Sequence, residues 1–285
     1  LTAYGAIHPK WKGIGILACL VPTLILPYYC AIGGWVFKYL VTFTIGHSQD
    51  TVADGYFTGF ITSEISPIVY FLIFLGVTAI VVFGGVEKGI ERFSKVIMPL
   101  LLVLILGIAI FSLTLEHTDA SGVTRTSLEG LKIYLWPDFS NITFKQFFIV
   151  IMDALGQLFY SISVAMGIMV AYGSYVKKDV NLMQSINQIE IFDTIVAFLA
   201  GMMIIPAVFA FSGGDPDTLQ AGPALMFITI PKVFASMGMG TAVGVLFFVL
   251  VLFAALTSSI ALTESAVSTF EDELGWDRTR STILI

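Results

Sequence analysis

The chain reads as long apolar stretches set between short polar connections. Nothing charged lies between Lys12 and Lys38, Glu64 and Glu87, Lys95 and Glu116, Asp193 and Asp215, or Lys232 and Glu264, and between Lys145 and Lys177 the one charge is Asp153. A hydrocarbon layer about 30 Å thick takes roughly 20 apolar helical residues to cross. The pattern therefore predicts six spans, at about 13–43, 66–84, 96–115, 146–176, 189–211 and 239–270. A spanning segment must satisfy its backbone internally, and these runs of Leu, Ile, Val and Phe lack the alternation of a membrane strand, so the spans are helices. The expected fold is an all-α membrane protein, a polytopic helical bundle forming one transmembrane domain over residues 1–285.

Composition adds a class exclusion. Hydrophobic residues make up 57% of the chain and charged residues 12%, about half the charged share of an ordinary soluble domain, for which roughly 25% is typical. Such a surface suits a lipid bilayer and offers nothing to a nucleic acid. The net charge of -6 conceals an asymmetry. One set of alternate connections carries Lys10, Lys12, Lys88, Arg92, Lys95, Lys177, Lys178, Arg278 and Arg280, and the other carries Lys38, Arg125, Lys132, Lys145 and Lys232. The positive-inside rule places the first set, including the N-terminal end, in the cytoplasm of a plasma (inner) membrane. The connections at about 44–64, 116–145 and 212–238 then face outward. The chain opens on Leu1, and Ser281 to Leu284 begin another apolar segment, so earlier and later helices of the molecule are expected outside this sequence.

Polar groups inside spans are costly to bury and are functional candidates for that reason. The acids are Asp153, Glu190, Asp193 and Glu264; the main neutral groups are Gln157, Tyr160, Ser161, Ser163, Thr257, Ser258 and Ser259. Serine and threonine more often bond their own helix or glue helices together. Asp193 reads equally as a cation ligand, which would keep it charged, and as a residue at the membrane edge. Hydroxyls and freed carbonyls suit a hard cation. Cys19 and Cys30, both in the first span, read as free thiols, and His8, His47 and His117 share no ligand-like spacing. There is no intramembrane histidine, no recognisable pair of catalytic aspartates and no Gly-x-Ser-x-Gly element, which argues against an enzyme. A channel or receptor would also carry six helices.

Ordered motifs favour a transporter. They are Pro9-Lys10-Trp11-Lys12, Tyr28-Tyr29, Lys88 to Lys95 followed by Met98-Pro99, Trp136 to Phe139, Gly156 to Ser163, Tyr172 to Tyr175, Pro206 to Phe211, Leu256 to Ile260 and Phe270 to Glu273. In this order and spacing the chain resembles the neurotransmitter:sodium symporter family, in its bacterial form typified by the bacterial leucine transporter. The resemblance implies the third to eighth helices of a five-plus-five inverted-repeat fold, with a sixth helix broken at Ser161 to Gly167 and Ala165 standing where the family usually has glycine.

The same resemblance implies roles. Ser161 and Asp193 are expected at the first of two sodium sites, and Ala254, Thr257 and Ser258 at the second, each site incomplete without the first helix. Ile25, Tyr29, Tyr160, Ser161, Ser163, Met166, Met169, Ser258 and Leu262 are expected to line the substrate pocket. Gln157 matches the outer gate and Tyr175 and Asp272 the inner gate; residues 212–238, with Gly222-Pro223 at a turn, resemble an outer lid. With Ala197 one turn after Asp193, a fixed carboxylate is expected in place of chloride. The implied function is sodium-coupled symport of neutral, hydrophobic or aromatic amino acids by alternating access. An amine or other small solute, or coupling to protons, is the alternative on the same fold.

Overall fold

The structure, a computed structural model, describes residues 2–118, 122–136, 139–140, 142–212 and 222–285. Among them, five helices are long and apolar enough to cross a membrane. Helix α1 (Thr2–Ile7) leads through a 3-10 turn into α2 (Lys12–Thr44), which carries Pro22 and Pro27 inside it. After a second 3-10 turn, Ser48–Val52, come α3 (Tyr56–Ile61) and α4 (Ser66–Phe83). A π-helical turn at Val86–Glu91 runs directly into α5 (Arg92–Leu113). A small antiparallel hairpin, β1 (Glu116–Thr118) with β2 (Thr124–Thr126), leads to α6 (Ser127–Leu135).

The fourth apolar region is two helices, α7 (Phe144–Ser161), as long as α4 but interrupted by Lys145, Gln146, Asp153 and Gln157, and α8 (Ile168–Tyr175), only eight residues long. Then follow α9 (Leu182–Phe211), a π-helical turn at Leu225–Thr229, α10 (Ile230–Ala235), α11 (Gly240–Leu274) and α12 (Arg278–Leu284). Thr143 caps α7 through a reciprocal capping box with Gln146, and Gly275 ends α11 in the left-handed conformation, as helix termini commonly do.

The centre of the bundle is α11, half buried along its most apolar stretch and packed along α2, which in turn packs along α4; α5 and α6 lie on α9. Gly33 and Gly34 let α2 approach α4 so closely that a Cβ on either would collide, with the Phe74 ring in one case and the Tyr70–Phe71 backbone in the other. Aromatic rings from α2, α3, the π-helical turn at Leu225–Thr229 and α11 close the end of the bundle where α2 finishes: Phe57 and Phe227 stack at 5.2 Å, Trp35 and Tyr39 meet Phe227 at 5.9 and 5.1 Å, and Tyr39 meets Phe248 at 5.4 Å. The Tyr39 hydroxyl donates to the Phe227 carbonyl at 2.8 Å, and Lys232 on α10 reaches Asp54 at 3.1 Å. The described part of the expected lid, 222–238 with residue 212, is therefore helical and packed on the bundle. Residues 213–221 of that lid, and Pro137 and Asp138 of the Trp136 to Phe139 motif, lie outside the described residues.

Candidate functional site

The break between α7 and α8 organises the site. Ser163 and Ala165 hold φ of 57° and 65°, and Gly167 holds 74°, values that side chains with a Cβ adopt at a cost. Gly167 also sits against the Ala18 carbonyl of α2, where a Cβ would collide. The Val164 N–H donates back to Phe159 O at 2.9 Å, and the Ser163 N–H to Tyr160 O at 3.2 Å, winding up the end of α7. The Val170 and Ala171 N–H groups both donate to Gly167 O and open α8. The first N–H groups of a helix have no partner within it and carry partial positive charge, while the last carbonyls carry partial negative charge. Both kinds of terminus thus meet at the break between α7 and α8.

A cavity of about 390 Å³ opens at this break. Its walls are Ile25 and Tyr29 of α2, Met98 of α5, Gln157, Tyr160 and Ser161 of α7, Ser163 and Met166 of the break, Ile168 of α8, and Thr257, Ser258, Ala261 and Leu262 of α11. No carboxylate, ammonium or guanidinium is among them. Of the nine residues expected at the pocket, the structure brings eight together. The exception is Met169, which lines a different, larger and mostly apolar cavity of about 790 Å³ with Glu190, Asp193 and Thr194.

Asp193 on α9 lines the larger cavity and meets the first through Ser161. The Ser161 hydroxyl donates to Asp193 Oδ1 at 2.7 Å, so the two residues expected at the first cation site are in direct contact. On α11, three consecutive hydroxyls divide their work. Ser259 turns away and joins the Thr78 hydroxyl of α4 at 2.8 Å, a packing contact. Thr257 and Ser258 face the cavity, and the Thr257 hydroxyl donates to the Ala254 carbonyl at 2.9 Å. The three residues expected at the second cation site are thereby clustered on one turn. Oxygen atoms of this kind are what an alkali cation needs, since hard cations take carboxylate, carbonyl and hydroxyl ligands.

The gate residues separate. Gln157 is in the main cavity wall, whereas Asp272 lines a polar recess of about 140 Å³ with Ser174, Ser268 and Thr269. Tyr175 donates its hydroxyl to Glu264 Oε1 at 2.8 Å. Glu264 is fully buried and is held by both terminal nitrogens of Arg278, whose Nε donates to the Val82 carbonyl at 2.8 Å. Burial works to lower the Arg278 pKa, but the hydrogen bonds and charge of Glu264 outweigh it and hold the guanidinium above its ordinary value. Sequence patterning flagged Glu264 as an acid in a span without finding its partner. Met98, Ile168 and Ala261 were also missed; for Met98 the available signal was its place just before Pro99, in the N-terminal half of α5.

Residues 61–285 match the model of the sodium:neurotransmitter symporter family. An uncharacterized sodium-dependent transporter of Haemophilus influenzae is 34% identical over 98% of this chain and 59% of its own length. Another, YhdH of Bacillus subtilis, is 37% identical over 90% of this chain and 53% of its own. The human sodium- and chloride-dependent taurine transporter is 24% identical over 95% of the chain and 50% of its own length. Among solved structures, MhsT in complex with L-phenylalanine superposes with a TM-score of 0.82 at 36% identity, covering 99% of this chain and 61% of that one. The chain thus spans about half to three-fifths of the length of these relatives.

Proposed function

Because the chain belongs to the sodium:neurotransmitter symporter family, a family of transporters and not of enzymes, we propose that the protein is a chloride-independent, sodium-driven symporter of neutral amino acids with apolar or aromatic side chains. The observation that carries this reading is the bond from Ser161 to Asp193 at the broken helix. It puts a carboxylate and a hydroxyl oxygen where the partial charges of two half-helices converge. A resident carboxylate supplies the negative charge that an anion would otherwise bring.

The substrate fits the same cavity. Its walls are uncharged and their apolar part is made of Ile25, Met98, Met166, Ile168, Ala261 and Leu262, which accept an apolar side chain but offer no counter-ion to an acidic or basic one. The Tyr29 hydroxyl, directed at Ser258, and the free N–H groups at the start of α8 suit a carboxylate. The phenylalanine bound to MhsT is in keeping with that class. Alternating access follows if sodium and substrate together favour one arrangement of α7 and α8 over the other, since a ligand shifts an equilibrium only by its differential affinity. The basic connections, including Lys88 and Lys177, face the cytoplasm in this reading.

The test is uptake of radiolabelled phenylalanine and leucine by the full-length protein in proteoliposomes with an imposed sodium gradient. Uptake is expected to persist when gluconate replaces chloride and to vanish when potassium replaces sodium. Asp193→Asn should lower apparent sodium affinity by about tenfold or more, the scale of one hydrogen-bonded charged ligand, and restore a response to chloride. Wild-type uptake that collapses in gluconate would overturn the chloride claim, and uptake indifferent to sodium would overturn the coupling.

A further inference from the structure

At the end of the bundle opposite Arg278, the β1–β2 hairpin and α6 cover the last turn of α9. Directly opposite residues of an antiparallel pair share a face, and so do residues i and i+2 of an extended chain. Arg125 lies opposite His117 in the register, and Ser127 follows Arg125 by two residues through Thr126, which is extended at φ -105°, ψ 148°. His117, Arg125 and Ser127 therefore share one face, and that face is turned onto α9, since the His117 ring sits 4.7 Å from Phe211. The other face carries Glu116, paired opposite Thr126, and the Thr118–Thr124 hydroxyl pair at 2.9 Å. The hairpin's charges are thus sorted, with the cation inward and Glu116 outward.

The inward donors lack acceptors. Ser127 is fully buried and its hydroxyl has no hydrogen-bond partner; Arg125 Nε is buried and equally without one. Among the described residues these are the two buried side-chain polar atoms left so, and such atoms are rare because each costs the full desolvation of the group. Ser127 is also the first residue of α6, a nine-residue helix whose N-cap, Thr126, makes no side-chain cap. The Ser127 N–H donates to the Leu115 carbonyl at 2.9 Å, and the N–H groups that follow it in the first turn of α6 point the same way with no side-chain cap to satisfy them.

We propose that Arg125, Ser127 and the start of α6 form a site for an oxyanion of the phosphate class, separate from the sodium and substrate sites. A guanidinium that offers Nε with a neighbouring nitrogen presents a fork matched to two oxygens of one anion, which favours an oxyanion over a halide. Two sources share this chemistry, free phosphate and the phosphodiester of a lipid headgroup. The second is open to α6 because its outer face carries Lys132 together with exposed Ile133, Leu135 and Trp136, the mixture found at a membrane interface. The site does not depend on the transport reading, and its failure would leave that reading intact.

The experiment measures thermal midpoints of the full-length protein in a phosphate-free maltoside detergent. Inorganic phosphate and phosphatidylglycerol are added separately at matched ionic strength, with gluconate as control. A saturable rise with inorganic phosphate identifies a free anion, and a rise with phosphatidylglycerol alone identifies the lipid phosphodiester; either supports the site. Ser127→Ala and Arg125→Lys should each weaken the half-saturating concentration by about tenfold, the loss of one hydrogen bond to a charged group, while leaving sodium-driven uptake unchanged. Arg125→Gln should abolish the rise. No rise with either additive overturns the proposal, as does a rise that Arg125→Gln retains. It is also overturned if Arg125→Gln lowers the midpoint by the same amount with and without phosphate, which is what a role confined to the α9 terminus predicts.

Discussion

Single side chains in this molecule are defined by what each pairs with across helices. Glu264 is the clearest case: a fully buried carboxylate gripped by Arg278 and Tyr175. Removing one partner of a buried ion pair leaves the other uncompensated and typically costs about 3–5 kcal/mol. Glu264→Gln or Arg278→Met alone should therefore lower the thermal midpoint markedly, and the double variant Glu264→Leu, Arg278→Met should recover much of the loss. Equal loss in single and double variants would show that the pair is not the unit. The sequence made Glu264 visible as an acid in an apolar run but hid Arg278, because the left-handed Gly275 ends α11 and turns the chain back on itself. Ser161 and Asp193 were legible as residue types by resemblance, yet their contact joins positions 32 apart and depends on how α7 meets α9, which periodicity does not encode.

At the scale of elements, the broken helix concentrates backbone strain. Ala165 at φ 65° bears a left-handed penalty of about 1–2 kcal/mol. Ala165→Gly should leave stability unchanged or raise it slightly, because strain relief is offset by the extra freedom of glycine in the unfolded chain. Ala165→Val, β-branched at positive φ, should destabilise. Gly167→Ala should be the most damaging of the three, since it adds a collision with Ala18 to an unfavourable φ. Ranking the three by thermal midpoint checks the order, and a tolerated Gly167→Ala would contradict it. The break also explains why Met169 lines the other cavity. Three residues after Met166 it would share a helical face with it, but Gly167 starts a new helix between them, and the phase of the pattern does not carry across. Long charge-free runs, by contrast, were legible as helices because lipid leaves so few alternatives.

For the whole molecule, the alternation of long helices puts α10 and the basic connection around Lys178 at opposite ends of the bundle. In intact cells, a membrane-impermeant maleimide should label Ser236→Cys from outside and reach Lys178→Cys only after lysis; the reverse pattern would invert the proposed orientation. Both positions are exposed, whereas the native Cys30 is buried. The many large apolar side chains on the outside, from Leu24 at 74% exposed to Phe144 at 79%, belong to a surface that suits a membrane, so the relation of inside to outside that governs a soluble protein does not apply.

The direction of one hydrogen bond carries further than its length. A serine hydroxyl has a single proton and two lone pairs, and at Ser161 that proton is committed to Asp193. Only electron pairs then remain to face the cavity. Nothing that arrives there needing a donor, a water held by its oxygen or a carbonyl of the substrate, finds one at this oxygen, while a bare cation meets an electron-rich atom already polarised by the carboxylate behind it. Chemical selectivity at this point is thus a matter of proton ownership, decided on the α9 side of the wall before any solute enters.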